Sequence, residues 1–280
     1  MRILFIGDIV GKAGVFCVKS LLPAIRKEKE IDFVVANADG ATGGFGLGKN
    51  HSIYLRKLGI DVLTGGECIY YKRDMVGHIA AAPYILRPAN YPPGNPGRGW
   101  RVYEASGRKV AVIVLLGQSG FSRVHLSNPY SFLPEIVSRI APETKTVILD
   151  FHAAATAEKY TMFQVADGLV SGVFGTHGKV LSADARVMPR GTGVICHAGR
   201  TGSLAGVGGL DRTIEIRKFL TQIPERSRDS WENLELQGAV LEVDDNGKAV
   251  SIEGFRRPCT EAPNDRDRQS GEGAHHAAGL

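Results

Sequence analysis

No apolar run in this 280-residue chain comes near the ~20 residues needed to cross a bilayer. The opening Met-Arg-Ile-Leu-Phe-Ile-Gly-Asp is cut by Asp8 and has no small-residue cleavage site, so it reads as a strand and not as a signal peptide. There are four cysteines, Cys17, Cys68, Cys196 and Cys259, none in CxxC spacing. A reduced cytoplasmic protein is the simplest reading. The formal charge of +5 is small for the length and is not gathered into a run, so no nucleic-acid partner is argued. Two phosphate-binding signatures are also missing. Three residues, not four, separate Gly7 from Gly11, and Ala13 follows Lys12, which breaks the P-loop pattern. Gly43 to Gly48 reads GGFGLG, the wrong spacing for a dinucleotide fingerprint.

What remains is a globular composition, 43% hydrophobic and 22% charged, organised around Thr146 to His177. Thr-Val-Ile-Leu-Asp-Phe-His152 and Leu-Val-Ser-Gly-Val-Phe-Gly-Thr-His177 are apolar runs that each end in histidine. The stretch between them has helical length, so the spacing fits a β-α-β unit with both imidazoles on one sheet edge. Upstream, strands over Arg2 to Gly7, Ile31 to Ala36 and Asp61 to Thr64 deliver Asp8, Asp39 and Glu67. A helix is expected from Val15 to Lys29, kinked or broken at Pro23, and another from about Asn50 to Leu58. Trp100–Leu116 and Leu234–Phe255 read as hairpins, the latter turning at Asp244-Asp245-Asn246-Gly247. A short helix is expected from about Asp211 to Leu220. No repeat and no second core is evident, so residues 1–257 form one domain; 258–280 are polar, weakly patterned and expected to be disordered.

Imidazole and carboxylate together suit Fe, Mn or Zn, and ligands of α/β sheets gather at strand carboxyl ends. Any one of these carboxylates could instead cap a loop, and any one histidine could be a structural donor. Five of them at five strand ends point to a shared site.

Several segments together resemble the YmdB-type metallophosphoesterases, a bacterial branch of the calcineurin-like superfamily. They are Ile-Gly-Asp8, Asn37-Ala38-Asp39 with its glycine loop, Arg87-Pro88-Ala89-Asn90-Tyr91-Pro92, Asp150-Phe151-His152 running on to Glu158-Lys159, Gly175-Thr176-His177 and Ala183-Asp184-Ala185-Arg186. The resemblance implies a four-layer α-β-β-α sandwich with a dinuclear centre, usually iron, hydrolysing phosphodiesters including cyclic nucleotides. It also shows departures. The family's bridging Glu is Asp39 here, and the Asn after it is Gly40. Its Gly-Asn-His signature is Gly66-Glu67-Cys68, so a ligand Asn has become Glu67 and the acid histidine Cys68. A ligand histidine is Lys179, a Glu is Ala154, and an Asp near the last glycine loop is His197.

Carried over residue by residue, one metal site keeps Asp39, Glu67, His152 and His177. The other keeps Asp8 but meets Lys179, whose ammonium has no lone pair to offer. One ion with Lys179 beside Asp8 is therefore expected rather than two, and Cys68 or His197 is the remaining acid. The implied activity is phosphodiester hydrolysis on a small nucleotide substrate, with homo-oligomers allowed and no membrane. The alternative is a catalytically inactive nucleotide-binding, regulatory or assembly protein; a structural or redox zinc site using Cys68 is a third reading.

Overall fold

The computed structural model describes residues 1–121, 124 and 126–269. Its first strand, β1 (Arg2–Ile6), alternates strictly: Ile3 and Phe5 enter one core cluster, Leu4 and Ile6 another. A short β2 (Asp8–Ile9) follows, then α1 (Gly11–Glu28), which buries Val15, Val18, Leu22 and Ile25. α1 continues through Pro23 without a break there. Pro23 lies on the exposed side, so water can solvate the carbonyl that its missing N–H leaves unbonded. β3 (Phe33–Asn37), α2 (Lys49–Lys57), β4 (Val62–Thr64), α3 (Arg73–His78) and β5 (Ile85–Leu86) complete the first half.

The second half opens with a hairpin, β6 (Trp100–Ala105) and β7 (Arg108–Leu116). Next comes α4 (Pro129–Ile140), a helix not anticipated above, whose start Asn128 caps by accepting from Tyr130 N. β8 (Val147–His152), α5 (Thr156–Ala166) and β9 (Gly172–Thr176) form the expected β-α-β unit, with His152 paired in register to Thr176. A small hairpin, β10 (Arg186–Val187) and β11 (Gly193–Ile195), precedes β12 (Arg200–Ser203) and α6 (Arg212–Thr221). The chain then makes the hairpin of β13 (Leu234–Val243) and β14 (Ala249–Pro258) and ends its described part in α7 (Asp265–Gln269).

One sheet has the order β2-β12-β13-β1-β3-β4-β5, with β14 on β13; the other has β10-β11-β9-β8-β7-β6. Their inner faces meet in a shared core of Phe5, Val35 and Leu241 against Val112, Ile148 and Phe174. α1 and α2 cover the outer face of the first sheet, and α4 and α5 that of the second. This is the four-layer α-β-β-α sandwich. Phe5 and Phe174 stack at 4.5 Å, pinning β1 to β9 three residues before Asp8 and His177 respectively. No helix among the described residues is long and apolar enough to cross a membrane.

Residues 258–269 depart from the disordered tail expected of them. Pro258 still belongs to β14, and Cys259 N donates to Leu234 O at 2.8 Å. Asp267 is buried and pairs with Lys19 Nζ at 2.6 Å, while the Arg268 guanidinium lies 5.6 Å from the Trp231 ring centre. The segment has no apolar period because it docks through charge and one aromatic face. Residues 270–280 lie outside the described residues. Truncation after Pro258 is expected to lower the thermal midpoint by about 2–5 °C in a calorimetric scan, the scale of one or two lost kcal/mol in a domain of this size. An unchanged midpoint would show that the docking contributes nothing.

Candidate metal centre

The two sheets bring the ends of β1, β3, β4, β8 and β9 to one seam. Asp39, two residues past β3, accepts Gly66 N at 2.6 Å and Cys68 N at 3.1 Å, so the loop after β4 wraps around its carboxylate. That loop points Glu67 at both imidazoles: Oε2 lies 2.7 Å from His152 Nε2 and Oε1 3.3 Å from His177 Nδ1. His152 Nε2 is also 3.8 Å from Asp39 Oδ2. Ligand atoms of Glu67, His152 and His177 lie within 4.8 Å of one another, as do those of Asp39, Glu67 and Cys68. Asp8 joins through its Oδ2, which accepts His177 N at 3.2 Å. Phe121 closes over the rings, 5.1 Å from His177 and 6.2 Å from His152. Gly66 is required here, since a Cβ would sit 2.3 Å from His152 Nε2.

Behind the cluster stand residues that the sequence reading did not assign. His152 Nδ1 meets Thr176 Oγ1 at 2.7 Å, and that hydroxyl donates to Asp150 Oδ1 at 2.6 Å. Asp150, fully buried, also accepts from Thr64 Oγ1 at 2.5 Å and Asn37 Nδ2 at 2.9 Å. Because Thr176 gives its hydrogen to Asp150, the network assigns the imidazole proton to Nδ1 and leaves Nε2 facing Glu67. Two lone-pair atoms 2.7 Å apart need a proton or a cation between them. The period-two spacing of strands carried a signal for Asp150, two positions before His152 on the same face of β8, whereas Asn37 ends β3 and its Oδ1 accepts Asp39 N at 3.1 Å.

The charges respond accordingly. Burial, with Glu67 nearby, pushes Asp39 up to about 6 against the pull of His152. Burial also penalises the Glu67 carboxylate, but the two imidazoles outweigh it and hold its pKa below the ordinary range. For His152 burial disfavours the cation, yet Glu67, Asp39 and Asp8 raise it to about 9. Burial, then Asp39 and Glu67, push the Cys68 thiol up.

The remaining assigned residues stand apart. Lys179 forms no ion pair with Asp8; its Nζ lies 5.9 Å from the centre of the exposed Phe45 ring, which Lys218 also approaches at 5.8 Å. The left-handed backbone at His177 (φ 81°) and Lys179 (φ 55°) turns this side chain toward the glycine loop. His197 Nδ1 lies 3.0 Å from Nζ of the fully buried Lys159, and burial and that ammonium lower the ring to about 4. Lys159 itself is lowered by burial to about 8. Arg200, also missed from the sequence, is buried beside Asp8 in the neighbouring strand. Two carboxylates and two imidazoles gathered around Glu67, with Asp39 and His152 buried and Glu67 and His177 partly exposed, suit a borderline divalent cation.

The chain matches the model of YmdB-like proteins over residues 4–255. It is 37% identical over 254 residues to the 2',3'-cyclic-nucleotide 2'-phosphodiesterase of Bacillus subtilis (strain 168), an alignment spanning 90% of this chain and 96% of that protein. The crystal structure of a novel phosphatase from Mycoplasma pneumoniae superposes with a TM-score of 0.86 at 30% identity, covering 92% of this chain and 93% of that one. A hypothetical protein from Thermus thermophilus gives 0.84 at 30% identity, covering 92% and 99%. The NAD nucleotidase of Haemophilus influenzae shares the fold alone, with a TM-score of 0.61 at 11% identity over 92% of this chain and 50% of that one. From its strand-end carboxylates and histidines to its sandwich of two sheets, this chain belongs to the YmdB-like family of phosphoesterases.

Proposed function

We propose that this protein hydrolyses phosphodiesters, 2',3'-cyclic nucleotides among them, with one divalent cation (Fe, Mn or Zn) held by Asp39, Glu67, His152 and His177. The observation that carries this reading is the 2.7 Å approach of His152 Nε2 to Glu67, with buried Asp39 and partly exposed His177 beside them. A cation bound there supplies Lewis-acid polarisation of a phosphoryl oxygen. The chain's own residues do the rest. The Asp150–Thr176 relay keeps His152 in one tautomer and one orientation. Phe121 lies against both imidazoles, and the N–H groups of Gly66 and Cys68 hold the Asp39 carboxylate. Of the two candidate acids, His197 is occupied by Lys159 and is neutral at pH 7. That leaves Cys68, next to Asp39 and Glu67, whose thiol stays protonated but is a weak donor to a leaving alkoxide. The same thiol favours the second reading, a nucleotide-binding protein without turnover.

Metal analysis of the purified protein is expected to find about one equivalent per chain, with slow hydrolysis of a 2',3'-cyclic nucleotide. Cys68→His should raise turnover about 10- to 100-fold, toward the contribution of a positioned imidazole acid. Metal bound without any hydrolysis, in either form, would leave the binding role. Two equivalents in the unmodified protein would count against a single ion.

The proton that bridges His152 and Glu67 in the metal-free protein is the one a cation displaces. His152 is raised from 6.5 to about 9, so its contribution to stability is complete below pH 6.5 and is lost as pH climbs through 9. Asp39, raised from 3.8 to about 6, acts only below that window. Between pH 6.5 and 9 the thermal midpoint of chelator-treated protein should therefore fall relative to that of a His152→Gln variant, a difference in which the opposing gains of Lys159 and Cys259, lowered to about 8 and about 7, cancel. Saturating Mn2+ or Zn2+ should raise the midpoint most at the alkaline end. Parallel pH profiles with and without metal would contradict the shared position of proton and cation.

A further inference from the structure

The Asp8 side of the site contains a guanidinium to which nothing above gives a task. β12 runs parallel to β2 with Arg200 opposite Asp8, so the two side chains leave their strands on the same face. That face is the site's, because the Asp8 carboxylate takes the backbone N–H of His177. Arg200 is only 9% exposed, its stem lying under Gly209, where an added Cβ would come within 3.2 Å of Cδ. Its Nη1 donates to the Lys179 carbonyl at 3.1 Å, so the fork reaches the loop that leaves β9. Its Nε is buried and has no hydrogen-bond partner among the described residues. A buried, charged N–H without an acceptor costs free energy. Asp8 attracts the guanidinium without closing into an ion pair with it.

We propose that Arg200 is a phosphate-binding residue of this site, whose unpartnered Nε–H and positive charge take a non-bridging oxygen of a phosphoryl group seated between Asp8 and the Asp39–Glu67–His152–His177 cluster. The assignment rests on the phosphodiester reading for the class of ligand. Arg200 supplies on the Asp8 side the fixed positive charge that Lys179, turned toward Phe45, does not. A guanidinium suits the role because its fork can hold the Lys179 carbonyl and a phosphoryl oxygen at once. The competing role is purely mechanical: Arg200 would only clip the strained His177–Lys179 loop through that carbonyl.

Inorganic phosphate separates the two roles. Full-length, Mn2+-treated protein is titrated with phosphate by calorimetry as wild type, Arg200→Met and Arg200→Lys, with metal content and thermal midpoint measured alongside. A phosphate contact predicts that Arg200→Met weakens phosphate binding about 10-fold or more, the scale of one charge-assisted hydrogen bond, with metal content unchanged. Arg200→Lys, which keeps the charge but has no Nε–H, should lose about 3-fold or more and raise KM more than it lowers kcat. A mechanical clip predicts a lower midpoint with phosphate affinity equal to wild type, and that result overturns the proposal. Should Arg200→Met fail to fold, Arg200→Lys decides alone, since wild-type affinity there also overturns it. Wild type that binds no phosphate overturns it as well. Phosphate bound through Arg200 in a protein with no turnover would retire the hydrolase reading and leave this assignment standing.

Discussion

Asp39 and Asp150 are buried carboxylates and Glu67 a mostly buried one, and a buried negative charge persists only where donors or cations meet it. The chain solves this in two stages. Asp150 is met by two hydroxyls and an amide, neutral groups that cannot leave. Asp39 is met by two backbone N–H groups of the Gly66–Cys68 loop and, at a longer distance, by His152. Glu67 is met by imidazoles alone among the described residues, with no backbone donor to fix its charge. Its partner at Nε2 is therefore exchangeable, a proton or a cation, whereas the partner of Nδ1 is fixed. A relay that fixes one nitrogen of a histidine and leaves the other free is how a fold keeps a ligand site in readiness.

That arrangement depends on two sheets and not one. The carboxylates come from the parallel ends of β1, β3 and β4, the imidazoles from those of β8 and β9. Neither sheet alone carries both kinds of candidate ligand, since Asp150 on β8 supports His152 from behind. The stacked pair Phe5 and Phe174 sets the seam, because it fixes the depth at which β1 and β9 end relative to one another. The Asn37–Asp150 and Thr64–Asp150 hydrogen bonds then cross from one sheet to the other and set the remaining offset. Fold stability and site geometry thus share the same contacts, so damage to that inter-sheet core would misplace ligands before it unfolded the domain.

Much of this was legible because strands announce their faces and their ends. The apolar runs that end in Asp8, His152 and His177 fix both the strand and the side of the sheet at which a polar group emerges, and the β-α-β spacing around α5 needed nothing beyond its length. Long-range pairing was not legible. Nothing local in Leu234–Val243 says that β13 lies against β1, at the middle of the first sheet and not at an edge. α4 carries a readable signal, Asn128 before Pro129 with Leu133, Ile136 and Ile140 on one side. Pro23 misled, since the cost of a helical proline depends on whether its freed carbonyl meets water, which is a property of the packed helix. The docked α7 was hidden because charge pairs and a cation–aromatic contact have no period. In the site, the residues that act by touching other residues (Thr176, Asp150, Asn37) left at most a weak mark, that of Asp150 sharing a face with the His152 it supports.

The Asp8 side illustrates how a substitution is read by its whole neighbourhood. In sequence, Lys179 was the obvious cation to set beside Asp8. In the structure Asp8 instead feels Lys159, buried behind His197, and Arg200, its neighbour across the strand pair. Both are held by bonds to other groups, Lys159 to the His197 ring and Arg200 to the Lys179 carbonyl, so neither can swing away when the local charge changes. A divalent ion next to Asp8 would have to enter against these two fixed positive charges, with one carboxylate to attract it and no second imidazole to bind it. The Glu67 side has the opposite balance, where carboxylates outnumber fixed cations. The proposed single ion on the Glu67 side and a protein-borne positive charge on the Asp8 side would both meet one electrostatic condition, that each half of the seam be neutralised separately.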